Sequence, residues 1–379
     1  MEFKLNELQQ MCQESAREFA VKNLSKYVKQ VEEERHVSDE IFQEMCAAGF
    51  MGLPFEEKYG GTNCGMDCFA LMLEQFGKVD PGICAPIVVS TMFLHAVERC
   101  GTEEQKMKYI PDGIAGKLRG SFAFTEPSTG SDPKQLTSTY RLENDHYVLN
   151  GVKRFITNSG YKGPILVFAN NAETGETTGF IFDKFCPGYS LSSPWDTVSM
   201  KASPVYDVFM DNICVPKENV LGEIGGGFNV LKSVVALSKL AMMAQCVGNM
   251  GHAYDIAVKY AKEKIHRGKP ITKFPTIQVK IARIAAMHQA SQLLVYRLAE
   301  HANHVEDAHA LVAESGMVKA FVADMGVQCC QMAMTVLGAY GVCDEYEIER
   351  VVRDALQYPV VEGVDDLQRI MCGSYLLKP

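Results

Sequence analysis

Residues 137–183 read TSTYRLENDHYVLNGVKRFITNSGYKGPILVFANNAETGETTGFIFD, and this stretch decides the fold class. The runs TSTYRL, HYVLNGVKRFIT, PILVFAN and TTGFIFD alternate apolar with polar residues or are rich in β-branched and aromatic ones. Asn, Asp and Gly separate them, and SPVYDVFMD, ending at Asp211, continues the pattern. Closely spaced strands joined by short turns predict an antiparallel sheet or small barrel, not βαβ units.

On either side the pattern is helical. In NELQQMCQESAREFAVKNL, Leu8, Met11, Cys12, Ala16, Phe19 and Ala20 recur at helical spacing. SDEIFQEMCAAGF opens with Ser38 as an expected N-cap, and GTEEQKMKYI opens another helix near Thr102. Beyond Gly226, FNVLKSVVALSKLAMMAQCVGNMGHAYDIAVKYAKEK, KIARIAAMHQASQLLVYRLAEHA and AHALVAESGMVKAFVADMGVQCCQMAMTVLG read as long helices, with EYEIERVVRDALQ as a shorter fourth. The fold expected is α+β: an N-terminal helical domain over 1–120, a middle antiparallel β domain over 121–225, and a C-terminal four-helix bundle over 226–379.

Composition narrows the function classes. The 379 residues are 47% hydrophobic and 22% charged, which excludes disorder as the main character. The net charge of −9, without a dense Lys/Arg run, argues against nucleic acid as a partner. The stretch from Gly82 to Val97 is too short to cross a bilayer, so no membrane span is expected. MEFKLNELQQM does not read as a signal peptide, and thirteen cysteines, an odd number, fit thiols kept reduced in a cytoplasmic setting.

Most motif-like features have ordinary readings. GEIGGGF (Gly222–Phe228) lacks the βαβ frame of a dinucleotide loop and reads as a linker before a helix. Cys64 and Cys68, placed in a loop, and Cys329-Cys330, on a helix, have no second pair at zinc-binding spacing. No G-x-S-x-G or H-E-x-x-H occurs.

Two segments invite more. FAFTEPSTGSD (Phe122–Asp132) ends a strand-like run in a hydroxyl-rich turn that can offer donors to a polar ligand, or is simply a β-turn. In PVVEGVDDLQ (Pro359–Gln368), Glu362 stands in an apolar run before Gly363. A carboxylate in an apolar pocket becomes a usable general base, although a solvated loop acid would look the same.

Together these segments resemble the acyl-CoA dehydrogenase family of flavoproteins over nearly the whole chain. PFEEKYGG resembles that family's P-E-x-x-G-G loop, and GTEEQKMKYIPDGIAGKLRGSFAFTEPSTGSD its G-T-x-E-Q-K…T-E-P-x-x-G-S-D passage. RFITN (Arg154–Asn158) resembles its W/F-I-T-N strand, and LGAYGVCDEYEIERVVRDALQYPVVEG its L-G-G-x-G…E-Y-x-x-E-R-x-x-R-D…Y-E-G passage. The resemblance implies FAD and a thioester substrate. Glu362 matches the base that removes the α-proton while the flavin takes the β-hydride. Phe122, Phe124, Thr125, Phe155 and Thr157 match positions lining the flavin. Gly130 and Ser131 match the turn near its pyrophosphate and the thioester's pantetheine arm. Lys264, Arg267, Gly338 and Val364 match further FAD positions, several supplied by a neighbouring subunit. Ser238, Lys239, Val361 and Gly363 match positions around the substrate. The resemblance also implies electron-transfer flavoprotein as acceptor and a homodimer or homotetramer.

Departures from the family pattern are specific. Its R-x-x-F-G reads Lys264-Ile-His-Arg267-Gly268, its F-Q reads Phe274-Pro275, and Thr335, Ala339 and Val364 replace a glutamine, a glycine and a threonine. Lys264 keeps charge but loses the guanidinium fork. On VALSKLA, Ala236 and Lys239 stand where CoA-acting members carry an Asp and an Arg, so acyl-CoA and acyl-carrier-protein substrates both stay open. A hydroxyacyl or aminoacyl substrate in biosynthesis, the reverse enoyl-thioester reduction, and a flavin-poor structural subunit are the alternatives.

Overall fold

The computed structural model describes residues 4–130, 135–304 and 308–377. The N-terminal part is helical: α1 Glu7–Phe19, α2 Val28–Glu34, α3 Asp39–Ala47, α4 Gly65–Val79, α5 Pro81–Cys100 and α6 Glu103–Ile114. Side chains cap the starts of α3, α5 and α6. Ser38 Oγ accepts from Ile41 N–H at the start of α3, and Thr102 with Gln105 forms a capping box on α6. Asp80 caps α5 through Ile83 N–H at 3.0 Å, with Pro81 at the first helical position. Cys68, expected in a loop, is buried inside α4, because Gly65 opens that helix one residue after Cys64.

The middle part is one eight-stranded sheet: β1 Ser121–Ala123, β2 Thr139–Glu143, β3 His146–Thr157, β4 Pro164–Asn171, β5 Thr177–Asp183, β6 Tyr189–Leu191, β7 Val205–Pro216 and β8 Val220–Leu221. The strand order is β6-β7-β3-β2-β4-β5-β8, with β1 beside β4. Hairpin neighbours are antiparallel as expected, but β1 and β2 both run parallel to β4. The PILVFA run of β4 is buried on both faces, which explains its unbroken apolar character. Ile165, Val167 and Ala169 enter the sheet's own core, whereas Leu166 and Phe168 join the helical core.

The C-terminal part holds α7 Gly227–Glu263, a hairpin of β9 Ile265–His266 and β10 Lys269–Pro270, then α8 Pro275–His304, α9 Ala308–Leu337, α10 Ile348–Ala355 and α11 Asp365–Leu376. The sequence reading did not separate α11 from the loop before it. Helix α7 touches α4, α5, α8, α9 and α10, so it is apolar on nearly every face. By length and composition alone α5, α7 and the segment His309–Val342 could each cross a membrane, contrary to the sequence expectation. In this fold 83%, 78% and 50% of those apolar windows are buried inside the protein. Arg350 joins the three parts: it pairs with Asp80 at 2.8 Å and lies 3.9 Å from Asp354, which accepts from Met200 N–H at 2.7 Å.

Candidate active site

The sheet, α5, α7 and the segment 356–375 enclose a cavity of about 1490 Å³. Phe122, Phe124, Thr125, Gly130, Phe155 and Thr157 line it from the β domain. Lys239, Val361, Glu362, Gly363 and Val364 line it from the helical side. The fold thus brings eleven of the residues selected from sequence to one cavity. Ser131 lies outside the described residues.

On the β side, Phe155 has a left-handed backbone (φ 60°) and is 51% exposed. A bulky residue in that region costs of order 1–3 kcal/mol and persists only when its surroundings fix it. A register shift between Lys153 and Ile156 in the β3–β7 pairing accommodates it. Asp207 holds its neighbourhood: it accepts from Arg154 Nη2 at 2.8 Å and from Trp195 Nε1 at 2.9 Å. Trp195 in turn packs against Phe155 with ring centroids 5.2 Å apart. Asn158 then ties the strand end to α5 and the chain before β1, donating to Pro86 O, Ser90 Oγ and Gly120 O at 3.0–3.2 Å. Below Thr125, the fully buried Glu126–Lys153 pair (2.7 Å) fixes the turn that carries Gly130. Glu126 also accepts from Thr137 and Ser138 N–H groups. Burial opposes its charge, but Lys153 and these donors prevail and hold its pKa down to about 2.

On the helical side, Glu362 is half-buried and also left-handed (φ 55°), followed by Gly363 at φ 85°. Glycine suits this position: a side chain at φ 85° would be strained, and a Cβ would push aside the end of the Gln368 side chain. Lys319 of α9 clamps this loop. Its ammonium donates to Pro359 O at 3.1 Å and Gly363 O at 2.7 Å, and pairs with Asp365 at 2.5 Å. Gln368 Nε2 donates to Glu362 O at 3.3 Å.

The carboxylate of Glu362 accepts from Ser238 Oγ at 2.6 Å. Ser238 is not on the wall of the main cavity but sits just behind it, 3% exposed. Lys239, the next residue, is on that wall and 1% exposed. Burial pushes its pKa down to about 8, with the Glu362 carboxylate opposing and Lys319 adding to the fall.

Three selected positions lie elsewhere. Lys264 and Arg267 follow the end of α7, 25 residues or more beyond Lys239; at about 1.5 Å per residue that is roughly 38 Å. Gly338 begins the turn after α9, where Tyr340 and Tyr346 pack on Tyr260, and Lys264 Nζ stands 4.7 Å over the Tyr340 ring. Pro275, a departure from the family pattern, occupies the first residue of α8, where a missing N–H costs nothing. The Gly222–Phe228 segment is the linker expected: it leads from β8 into α7, with Gly225 N–H bound to Thr178 Oγ1. Sequence reading missed Lys319, Asp207, Trp195, Asn158 and Gln368. A lone Lys in the apolar run SGMVKAFVADMG was a usable signal for Lys319.

The chain matches the acyl-CoA dehydrogenase N-terminal domain over residues 6–117, the middle domain over 121–213 and the C-terminal domain over 225–377. It belongs to the acyl-CoA dehydrogenase family, the oxidoreductases that act on CH–CH bonds with FAD. Among its relatives are 3-(aryl)acrylate reductase of Clostridium sporogenes, 32% identical over 98% of this chain and 99% of the relative. A subunit of the caffeyl-CoA reductase–Etf complex of Acetobacterium woodii is 31% identical over 98% and 99%. Butyryl-CoA dehydrogenase from Megasphaera elsdenii superposes with TM-score 0.96 at 29% identity over 100% of both chains. A prolyl acyl carrier protein oxidase superposes with TM-score 0.92 at 27% identity, covering 99% of this chain and 100% of that one.

The residues present fit FAD. The cavity exceeds the roughly 300–1,000 Å³ of a drug-sized site, leaving room for a flavin beside an acyl group. The strained, solvent-facing Phe155 and the flanking Thr125 and Thr157 offer a flat apolar face edged with hydroxyls.

Proposed function

We propose that this protein removes an α-proton and a β-hydride from an acyl thioester, with Glu362 as the base. One observation carries the reading: the Glu362 carboxylate is held at the junction of the β-domain wall and the helical wall, anchored by Ser238 at 2.6 Å. Phe124, Phe155 and Thr157 would hold FAD, which would supply the hydride acceptor. Everything else falls to the chain. Glu362 lines the cavity with Oε2 tethered to Ser238, so the base is oriented before substrate arrives. The α-proton is weakly acidic, and the thioester oxygen needs donors as charge develops. Val361 and Asp365 N–H groups are bound within the loop, to Gln357 O and Pro359 O. The Glu362 N–H has no acceptor among the described residues, which supports its use toward the thioester. The Lys239 ammonium adds positive potential beside the same point.

The intact Glu362 site favours an enzyme over a flavin-poor structural subunit. The same residues serve the reverse reaction, with Glu362 returning the proton, and reductases among the relatives support that direction equally. The name of the caffeyl-CoA reductase–Etf complex subunit also supports an electron-transfer flavoprotein as redox partner. Ala236, buried where an acid was looked for, leaves both CoA and carrier-protein thioesters as substrates. Lys264, Arg267 and Gly338, remote from Glu362 within one chain, support a homo-oligomer in which they reach a neighbour's FAD. Thirteen free cysteines fit a cytoplasmic enzyme.

The test is anaerobic mixing of the FAD-loaded protein with acyl-CoA and acyl-carrier-protein forms of one acyl group, following the flavin band. Bleaching by one form identifies the carrier. No bleaching by any acyl thioester, together with no reoxidation by enoyl thioesters, sinks the reading.

A further inference from the structure

Beside the main cavity, sharing Val88 and Met92 with it, lies a second, much smaller one of about 10 Å³, lined by Ser238, the partner of Glu362. Its wall is apolar except for three side chains: Ser238, Thr91 and His95. That volume matches the roughly 10–15 Å³ one water occupies, and a water needs two to four polar partners. His95 is 4% exposed and packs on Phe55 with ring centroids 4.6 Å apart. Its Nδ1 faces Glu98 Oε2 at 2.9 Å, whereas its Nε2 has no hydrogen-bond partner among the described residues. A buried ring nitrogen without a partner costs free energy, so a His95 ring bordering this small cavity calls for a ligand. Glu98, at the far end, has a side chain 20% exposed and reaches solvent.

The geometry points to a proton conduit from the base to the surface: Glu362, Ser238, one water in the small cavity, His95 and Glu98. This rests on Glu362 being the base. Substrate and flavin bound in the main cavity would stand between Glu362 and solvent on that side. Each conduit member takes one proton and releases one. Protonated Glu362 turns its carboxyl over and donates to Ser238 Oγ, whose own hydrogen swings from the carboxyl to the water. The water gives a proton to His95 Nε2, and Nδ1 releases one to Glu98. No bond to carbon changes and no electron moves, and the reverse order supplies a proton for reduction. Ser238 and His95 act through Glu362 and are positioning residues.

The test compares, in the FAD-loaded protein, two rates with one acyl thioester: deuterium wash-in from D2O at the α-carbon, and first-turnover flavin reduction. Reduction needs only the transfer to Glu362, whereas wash-in also needs exchange of that proton with solvent. In His95→Gln the ratio of wash-in to reduction should fall about tenfold or more. The same loss is expected in Ser238→Ala, with recovery in Ser238→Thr, so the test survives if one variant does not fold. An unchanged ratio in His95→Gln or Ser238→Ala overturns the conduit alone, provided Glu362→Gln abolishes reduction. Reduction that persists in Glu362→Gln overturns the base assignment and the conduit with it.

Discussion

Ser238 Oγ donates a 2.6 Å hydrogen bond to Glu362 Oε2 across 124 residues of sequence. That contact joins α7 to the loop before α11, and it sets the direction of the carboxylate proposed as the base.

Glu362→Gln keeps the volume and the Ser238 contact but removes the basic oxygen. FAD should still bind, while reduction of the flavin by acyl thioester falls by about 10²–10⁴-fold. Stopped-flow absorbance measures this, and a variant that retains the wild-type rate would move the base elsewhere.

Lys319→Met removes the ammonium that three loop groups share and leaves Asp365 buried without its cation. Breaking such a pair costs about 3–5 kcal/mol. The melting temperature should drop, and kcat should fall even below that temperature because the Glu362–Gly363 turn loses its clamp. Thermal melts with and without FAD, paired with kcat, separate the two effects; an unchanged kcat would show that the turn holds without Lys319.

Lys239 gives a pH signature. Its pKa of about 8 means that the amine is charged below pH 8 and loses its proton above it, with Glu362 and Lys319 as the charged groups facing it. Thioester binding should therefore weaken as pH rises through about 8. Lys239→Arg cannot lose its charge in that range and should flatten the change. Substrate titrations on both proteins check this, and parallel curves would remove Lys239 from the binding argument.

Arg267 and Glu362 should complement each other across chains. Arg267→Ala is expected to weaken FAD binding at a neighbour's site, and Glu362→Gln to silence its own. Co-expressed in one oligomer, the two variants should recover part of the activity that each lacks. A hybrid of proven composition without activity would mean that Arg267 serves no partner's flavin.

The buried Glu126 sets an acid limit. Its folded pKa, held down to about 2 from the ordinary 4.5, contributes stability that is present above pH 4.5 and is lost as pH falls toward 2. In Glu126→Gln the fall in denaturation midpoint over that window should be shallower. Urea melts at stepped pH measure it, and an equally steep fall would assign the acid limit to other carboxylates.

The sequence by itself determined the order helix, sheet, helix, because hydrophobic period is a local property and each segment declares its own. Ser38, Thr102 and the β4 run were legible for the same reason. Glu362 and the flavin-facing aromatics were legible through motifs that survive in order along the chain. Tertiary structure alone decided the rest. That Lys319, 43 residues from Glu362, clamps its loop depends on how α9 packs against α11, which no local pattern encodes. Whether Lys264 and Arg267 share the site of Glu362 depended on the unbroken length of α7, which carries them roughly 38 Å away. Two cavities, one lined by Glu362 and one by its partner Ser238, exist only where distant walls meet, and burial there gives Lys239 and His95 properties that their neighbours in sequence do not predict.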